Sequence, residues 1–148
     1  MMRVAIGSDH AGFDQKASLR RHLEQLGHEV TDVGPDSDEL SVDYPDFAEQ
    51  VGGLVAAGEV DRGVLVCGTG IGMAMAANKI DGVRAANVLD VDFARLSREH
   101  NDANVVAVSG RFVSAEKNAQ IVDAFLEAEF LGDRHTRRVE KIKALESE

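Results

Sequence analysis

A cysteine, a threonine and three alternating glycines stand together in Cys67-Gly-Thr-Gly-Ile-Gly72, between the apolar run Val64-Leu-Val66 and the helix-like Ala74-Met-Ala-Ala-Asn-Lys79. Glycines at 68, 70 and 72 admit backbone conformations closed to other residues, so successive N–H groups can converge on one oxyanion while the following helix adds its positive end. The same partial charge favours a thiolate, which makes Cys67 a candidate base or nucleophile. The plainer reading of such a residue is a buried, inert thiol. A dinucleotide site is disfavoured because the turn lacks the full G-x-G-x-x-G spacing and follows the third predicted strand instead of the first. With one Tyr and no Trp, the chain also has little to stack on a flavin. Donors aimed at a developing oxyanion are the better use of such a turn, each typically worth ~3 to 4 kcal/mol of barrier.

Four further groups could join that chemistry. Asp9-His10 lies on the first strand-to-helix turn, where Asp9 is expected to cap the helix containing Phe13, to contact a ligand, or to do both. Phe93, Leu96 and His100 share one helical face, and Asn101-Asp-Ala-Asn104 follows. His100 is read either as a helix-terminal histidine favoured by the dipole or as part of a ligand-facing loop with Asn101. Arg134 and Arg138 are four residues apart, a spacing that lets two guanidinium groups grip one phosphate, and Arg111 is a third candidate. The five histidines, at 10, 22, 28, 100 and 135, show no metal-ligand spacing, and no G-x-S-x-G elbow is present.

Strands must carry these groups. Apolar, β-branched runs at 4–7, 29–33, 63–67, 84–87 and 105–109 alternate with helical periodicity, the pattern of a parallel sheet covered on both faces. Leu19, Leu23 and Leu26 mark the first helix, Phe47, Val51, Leu54 and Val55 the second, and Ile121, Val122, Phe125 and Leu126 the fifth. The expected fold class is α/β, a single Rossmann-like three-layer αβα sandwich around a five-stranded parallel sheet. In such sheets ligands bind beyond the carboxyl ends of the strands. Ser8-Asp9-His10, Cys67 to Gly72 and Ser109-Gly-Arg111 all fall at such ends, which argues for one site. A narrow apolar stripe of Val139, Ile142 and Leu145 gives a C-terminal helix expected to dock on a partner subunit.

At 148 residues the chain fits one domain, and no repeat or linker divides it. A net charge of −10 argues against nucleic acid as a partner. The basic cluster from Arg134 to Lys143 suits one small anion, unless it is only a solvated helix face. A single Cys permits no internal disulfide, no apolar run approaches the ~20 residues of a membrane span, and no leader pattern opens the chain. These features predict a cytoplasmic protein that engages neither membrane nor nucleic acid.

Gly7-Ser-Asp-His-Ala-Gly-Phe13, Asp43-Tyr-Pro45, Cys67-Gly-Thr-Gly-Ile-Gly-Met73, Ala76-Ala-Asn-Lys79, Gly82-Val-Arg-Ala85, Leu96-Ser-Arg-Glu-His-Asn-Asp-Ala-Asn104 and Arg134-His-Thr-Arg-Arg138 together resemble the ribose/galactose/allose phosphate isomerase family, that of ribose-5-phosphate isomerase B. The resemblance spans essentially the whole chain and implies one sugar-phosphate isomerase domain over 1–148. It implies an aldose–ketose isomerase of the pentose phosphate pathway that interconverts ribose 5-phosphate and ribulose 5-phosphate through a cis-enediolate. It also implies no cofactor, no metal, and a homodimer or dimer of dimers with shared active sites. Carried over by motif, Cys67 is the base, Thr69 and the amides of Gly68, Gly70, Ile71 and Gly72 hold the enediolate oxygen, and His100 opens the furanose ring, arriving with Asn101 from the neighbouring subunit. Asp9 and Tyr44 assist ring opening and hydroxyl recognition. His10, Arg111, Arg134 and Arg138 form the phosphate clamp. One branch of the family has Glu at the Met73 position with Ser at the Thr69 position, and Met73 places this chain with the thiol-base branch. A sibling isomerase for a hexose 6-phosphate (allose or galactose) or a tetrulose 4-phosphate is the alternative, and a non-catalytic phosphosugar-binding module is a further one.

Overall fold

Strands that are apolar on both faces need cover on both sides, and the chain supplies it by returning through a helix after each strand. The computed structural model describes residues 1–146. Five strands, β1 (Arg3–Ser8), β2 (Glu29–Gly34), β3 (Arg62–Cys67), β4 (Ala85–Asn87) and β5 (Val105–Ser109), form one sheet in the order β2-β1-β3-β5-β4. Every pairing is parallel. The helices are α1 (Phe13–Gln25), α2 (Tyr44–Ala56), α3 (Ile71–Ala77), α4 (Val91–Glu99), α5 (Ala115–Glu127) and α6 (Arg134–Lys143). This is the expected three-layer α/β sandwich.

Alternation along the strands builds two cores. Val4, Ile6, Val64, Val66, Val106 and Val108 pack with Leu19 and Leu23 of α1, Ala94 of α4, and Ile121 and Phe125 of α5. Ala5, Leu65, Cys67, Val105 and Ala107 point the other way, onto Ala48, Val51 and Val55 of α2 and Met73 of α3. Each buried valine or leucine contributes roughly 1.5 to 3 kcal/mol, so both layers hold the sheet ends in fixed register. The outer edge at β4 is closed by a side chain: Asn78 donates to Ala85 O at 2.9 Å and accepts from Ala85 N at 2.8 Å. That pairing satisfies backbone groups which an edge strand otherwise offers to a neighbour. Among the described residues no helix is long and apolar enough to cross a membrane.

Four local expectations are corrected. The helix after the glycine turn starts at Ile71, three residues before Ala74, because Gly70 at φ +86° reverses the chain directly into it. Asp9 does not cap α1; its Oδ1 accepts from Gly12 N at 2.9 Å, closing the turn that leads into the helix. On α4 the buried face is Ala94, Ser97 and Arg98, while Phe93 is 63% exposed. Arg98 can occupy that interior because its Nη1 donates to both Asp102 Oδ1 and Ala103 O at 2.7 Å, so the charge enters the core with its bonds made. Finally, the C-terminal stripe divides: Val139 is buried within the chain, and Leu145 is 86% exposed.

Candidate active site

The strand order reverses direction between β1 and β3, and in open parallel sheets the carboxyl edge at such a reversal is where ligands bind. The three loaded segments meet at it. Asp9 N donates to Val66 O at 3.2 Å, Gly110 N to Cys67 O at 2.8 Å, and Arg111 N to Gly68 O at 3.1 Å. Asn118 of α5 ties Ser109 O to Gln15 of α1, so the loop after β5 is anchored from behind by two helices.

Those bonds aim the turn. A trans peptide is planar, so the C=O of one residue and the N–H of the next point in opposite directions. Cys67 O is held by Gly110 N–H, and Gly68 O by Arg111 N–H and by Ser109 Oγ at 2.7 Å. Thr69 O accepts from Asn87 Nδ2 at 3.3 Å. Three successive carbonyls are thus drawn toward β4 and β5, which turns the N–H groups of Gly68, Thr69 and Gly70 the other way. The Gly70 N–H reaches Cys67 Sγ at 3.1 Å. Cys67 itself is 5% exposed, packed among apolar neighbours on one side and facing the turn on the other. At seven residues α3 is only two turns, so the amides of the turn, and not a long helix dipole, supply the positive field.

Around this turn stand the other candidates of the same edge. Gly72 lets Tyr44 lie against the backbone, since a Cβ there would come within 2.6 Å of the ring. The Arg111 side chain lies over Gly68, 3.4 Å from where a Cβ would be. Thr69 Oγ1 accepts from Ile71 N at 3.1 Å and keeps its own proton to donate. His10 Nδ1 accepts from Val42 N at 3.2 Å, which places the ring proton on Nε2. The loop bearing Val42 is itself tied down by the buried Lys16, whose Nζ bonds Asp32 at 2.8 Å and Pro35 O at 2.6 Å.

His100, Asn101, Arg134 and Arg138 lie elsewhere. Because α4 leaves the carboxyl end of β4 and returns to the amino end of β5, its C-cap His100 sits at the opposite edge from Cys67. Asp102 pins this corner at the amino ends of the strands: Arg84 donates to its backbone O at 2.8 Å and to its carboxylate at 3.2 Å. A strand of five or six residues rising about 3.3 Å per residue separates the edges by roughly 17–20 Å. Asn101 lines a groove of about 720 Å³ at this end, with Lys79, Arg84, Ala85 and Leu145 among its walls. Within one chain, therefore, these two groups of candidate residues do not meet.

His135 of α6 stacks on His100 with ring centroids 4.3 Å apart and carries the helix bearing Arg134 and Arg138 to that corner. Desolvation holds the His135 pKa below the ordinary histidine value, reinforced by His100, Arg134 and Arg138 and opposed by Asp133. A base with a lowered folded pKa binds fewer protons in the native state, so its contribution to stability is complete above about pH 6.5 and is lost as pH falls below it. Thermal midpoints measured from about pH 7 to pH 5 should fall more steeply for the parent than for His135→Gln. Parallel curves would remove His135 from the acid sensitivity.

Among the described residues no group of three His, Cys, Asp or Glu side chains is placed to hold a metal ion. The sequence alone assigns no role to Asn87, Arg84 or Arg98, and includes Ser109 only as part of the strand-end segment Ser109-Gly-Arg111, without its bond to Gly68 O. Asn87 could be seen only as an amide at a strand's carboxyl end, with nothing local to indicate its partners.

Residues 4–142 match the family described as Ribose/Galactose Isomerase. The chain is 49% identical to ribose-5-phosphate isomerase B of Escherichia coli, over 99% of this chain and 97% of that one. Among solved structures, ribose-5-phosphate isomerase B of Clostridium thermocellum superposes with a TM-score of 0.95 at 48% identity, covering 97% of each chain. The Mycoplasma genitalium enzyme, solved with bound ribulose-5-phosphate, superposes at 0.93 with 45% identity, covering 96% of this chain and 94% of that one.

Proposed function

We propose, since this chain belongs to the ribose/galactose isomerase family and is an aldose–ketose isomerase of ribose 5-phosphate and ribulose 5-phosphate, that Cys67 is its base and that each active site is completed by a second copy of the chain. The observation that carries the first part is the turn whose carbonyls are all held from behind, with one N–H on the sulfur and its neighbours aimed alongside. The second part follows from the two edges. His100 and Asn101, with Arg134 and Arg138, reach a Cys67 only across an interface, and the exposed Ile71 and Met75 of α3 and Phe93 of α4 give such an interface apolar surface.

The chemistry then runs in order. Ribose 5-phosphate rests mostly as a closed ring, so His100 of the second copy moves protons between the ring oxygen and the anomeric hydroxyl, with Asp9 and Tyr44 at the sugar hydroxyls. In the open aldose the Cys67 thiolate takes the C2 proton. The C2–H electrons form the C1=C2 bond, and the carbonyl electrons pass to O1, where Thr69 and the amides of the turn meet the new charge. The hydroxyl proton of O2 passes to O1. As O2 becomes the carbonyl, the thiol returns its proton to C1 and the ketose forms. His10, Arg111, Arg134 and Arg138 hold the phosphate away from the reacting carbons, so binding energy goes into orientation. This reading is of an enzyme working without a cofactor or metal, in a homodimer or dimer of dimers, in the cytoplasm.

Chain length of the substrate is tested by comparing kcat/KM on four-, five- and six-carbon sugar phosphates. Ribose 5-phosphate should exceed allose 6-phosphate, galactose 6-phosphate and a tetrulose 4-phosphate by about tenfold or more, since a misplaced reacting carbon costs about two orders of magnitude. A hexose or tetrulose phosphate in first place would transfer the chain to a sibling activity. Binding without turnover on every member would leave only a phosphosugar-binding module.

A further inference from the structure

The amide of Asn87 sits where β4 ends and spends both of its protons on backbone carbonyls: Ala107 O at 3.1 Å and Thr69 O at 3.3 Å. Two carbonyl oxygens as partners fix which end of the amide faces them, because only the NH₂ can donate. Ala107 lies inside the sheet, fully buried, and its oxygen also receives Val88 N at 3.1 Å, so the anchor is rigid. Gly70 is shaped to this amide, since a Cβ there would stand 2.4 Å from Asn87 Nδ2. The other two carbonyls of the turn are held by backbone N–H groups and Ser109. The Thr69–Gly70 peptide is held by Asn87, and this is the peptide whose N–H meets Cys67 Sγ.

We propose that Asn87 is a positioning residue that locks the Thr69–Gly70 peptide and thereby keeps the Gly70 N–H aimed at the Cys67 sulfur, stabilising the thiolate. A planar peptide makes the two ends one lever. With Thr69 O drawn back to Asn87, the N–H end of the dipole faces the sulfur. Released, the same peptide can rotate its oxygen forward and oppose a negative sulfur. The catalytic consequence rests on the reading of Cys67 as the base; the effect on the sulfur's ionisation does not.

Because the chain has one cysteine, its thiolate is read directly by far-ultraviolet absorbance across a pH titration. Removing a hydrogen bond that favours a charged group is worth about a tenfold change, so Asn87→Ala should raise the ionisation midpoint by about one pH unit relative to the parent. Asn87→Asp keeps the volume, loses the donor and adds negative charge, and should raise it at least as far. Asn78→Ala serves as the control, removing an amide that bridges β4 without touching the turn, and should leave the midpoint in place. At neutral pH Asn87→Ala should lower kcat about tenfold with KM within about twofold, and the kcat profile should move with the midpoint. An unmoved midpoint in both Asn87 variants, or an equal rise in Asn78→Ala, overturns the positioning role. A raised midpoint with kcat unchanged supports that role and removes the thiol from the proton transfer.

Discussion

Cys67→Ala should lower kcat for the interconversion of ribose 5-phosphate and ribulose 5-phosphate by about a thousandfold, the scale of a lost general base, while KM should stay within a few-fold. The split follows from how the site is built. The bonds that hold Cys67 O, Gly68 O and Thr69 O come from Gly110, Arg111, Ser109 and Asn87, and none of them involves sulfur. The cradle of amides therefore survives the substitution, with only the Gly70 N–H losing its acceptor. Removing one buried sulfur leaves a small void beside Met73 and Ala107, worth roughly 1 kcal/mol of stability, which a thermal melt should report as a modest drop. Cys67→Ser supplies a second comparison, since a serine hydroxyl is somewhat smaller than the thiol but a far weaker acid, and it should be nearly as impaired. Turnover close to the parent in either variant would assign the proton transfer to another group.

Much of this molecule could be read before its coordinates. Strands buried on both faces leave an unbroken apolar run, so Val64 to Val66 and Val105 to Val108 announced themselves, and the glycines of the turn stood out because nothing else explains three in alternation. Phe93 shows where such reading fails. Apolar periodicity tells which side of α4 is greasy, but not whether the grease meets this chain or another, and Arg98 took the inner position because Asp102 and Ala103 could satisfy it. Asn87 was opaque for a different reason. Its role depends on Gly70, seventeen residues away in sequence, and on Ala107, twenty residues away, being brought side by side by the β3-β5-β4 strand order. No local pattern encodes that order. By contrast, the location of His100 was already implicit in the succession β4, α4, β5, because a helix that joins parallel strands must end at the edge opposite the one it left.

That last point yields the second large effect. Cys67→Ala and His100→Asn should each be nearly inactive on ribose 5-phosphate as separate proteins, yet co-expressed they should recover about a quarter of parental activity. In the proposed two-fold symmetric dimer each site would take its turn from one chain and its His100 from the other. A mixed dimer then has one site with both defects and one with neither, and random pairing makes about half of the dimers mixed. The mixed species, isolated with two different affinity tags, should carry about half the parental activity per dimer. His100 can be changed without removing the support of the corner, because Asp102 remains gripped by Arg84 and Arg98. The His100→Asn chain should also keep substantial activity on an acyclic ketose phosphate, where no ring has to open. Mixed dimers that stay as inactive as either parent variant would mean that Cys67 and His100 serve one chain, and with the two groups at opposite edges of a five-stranded sheet, His100 would then act through the fold of its corner and not on the substrate at Cys67.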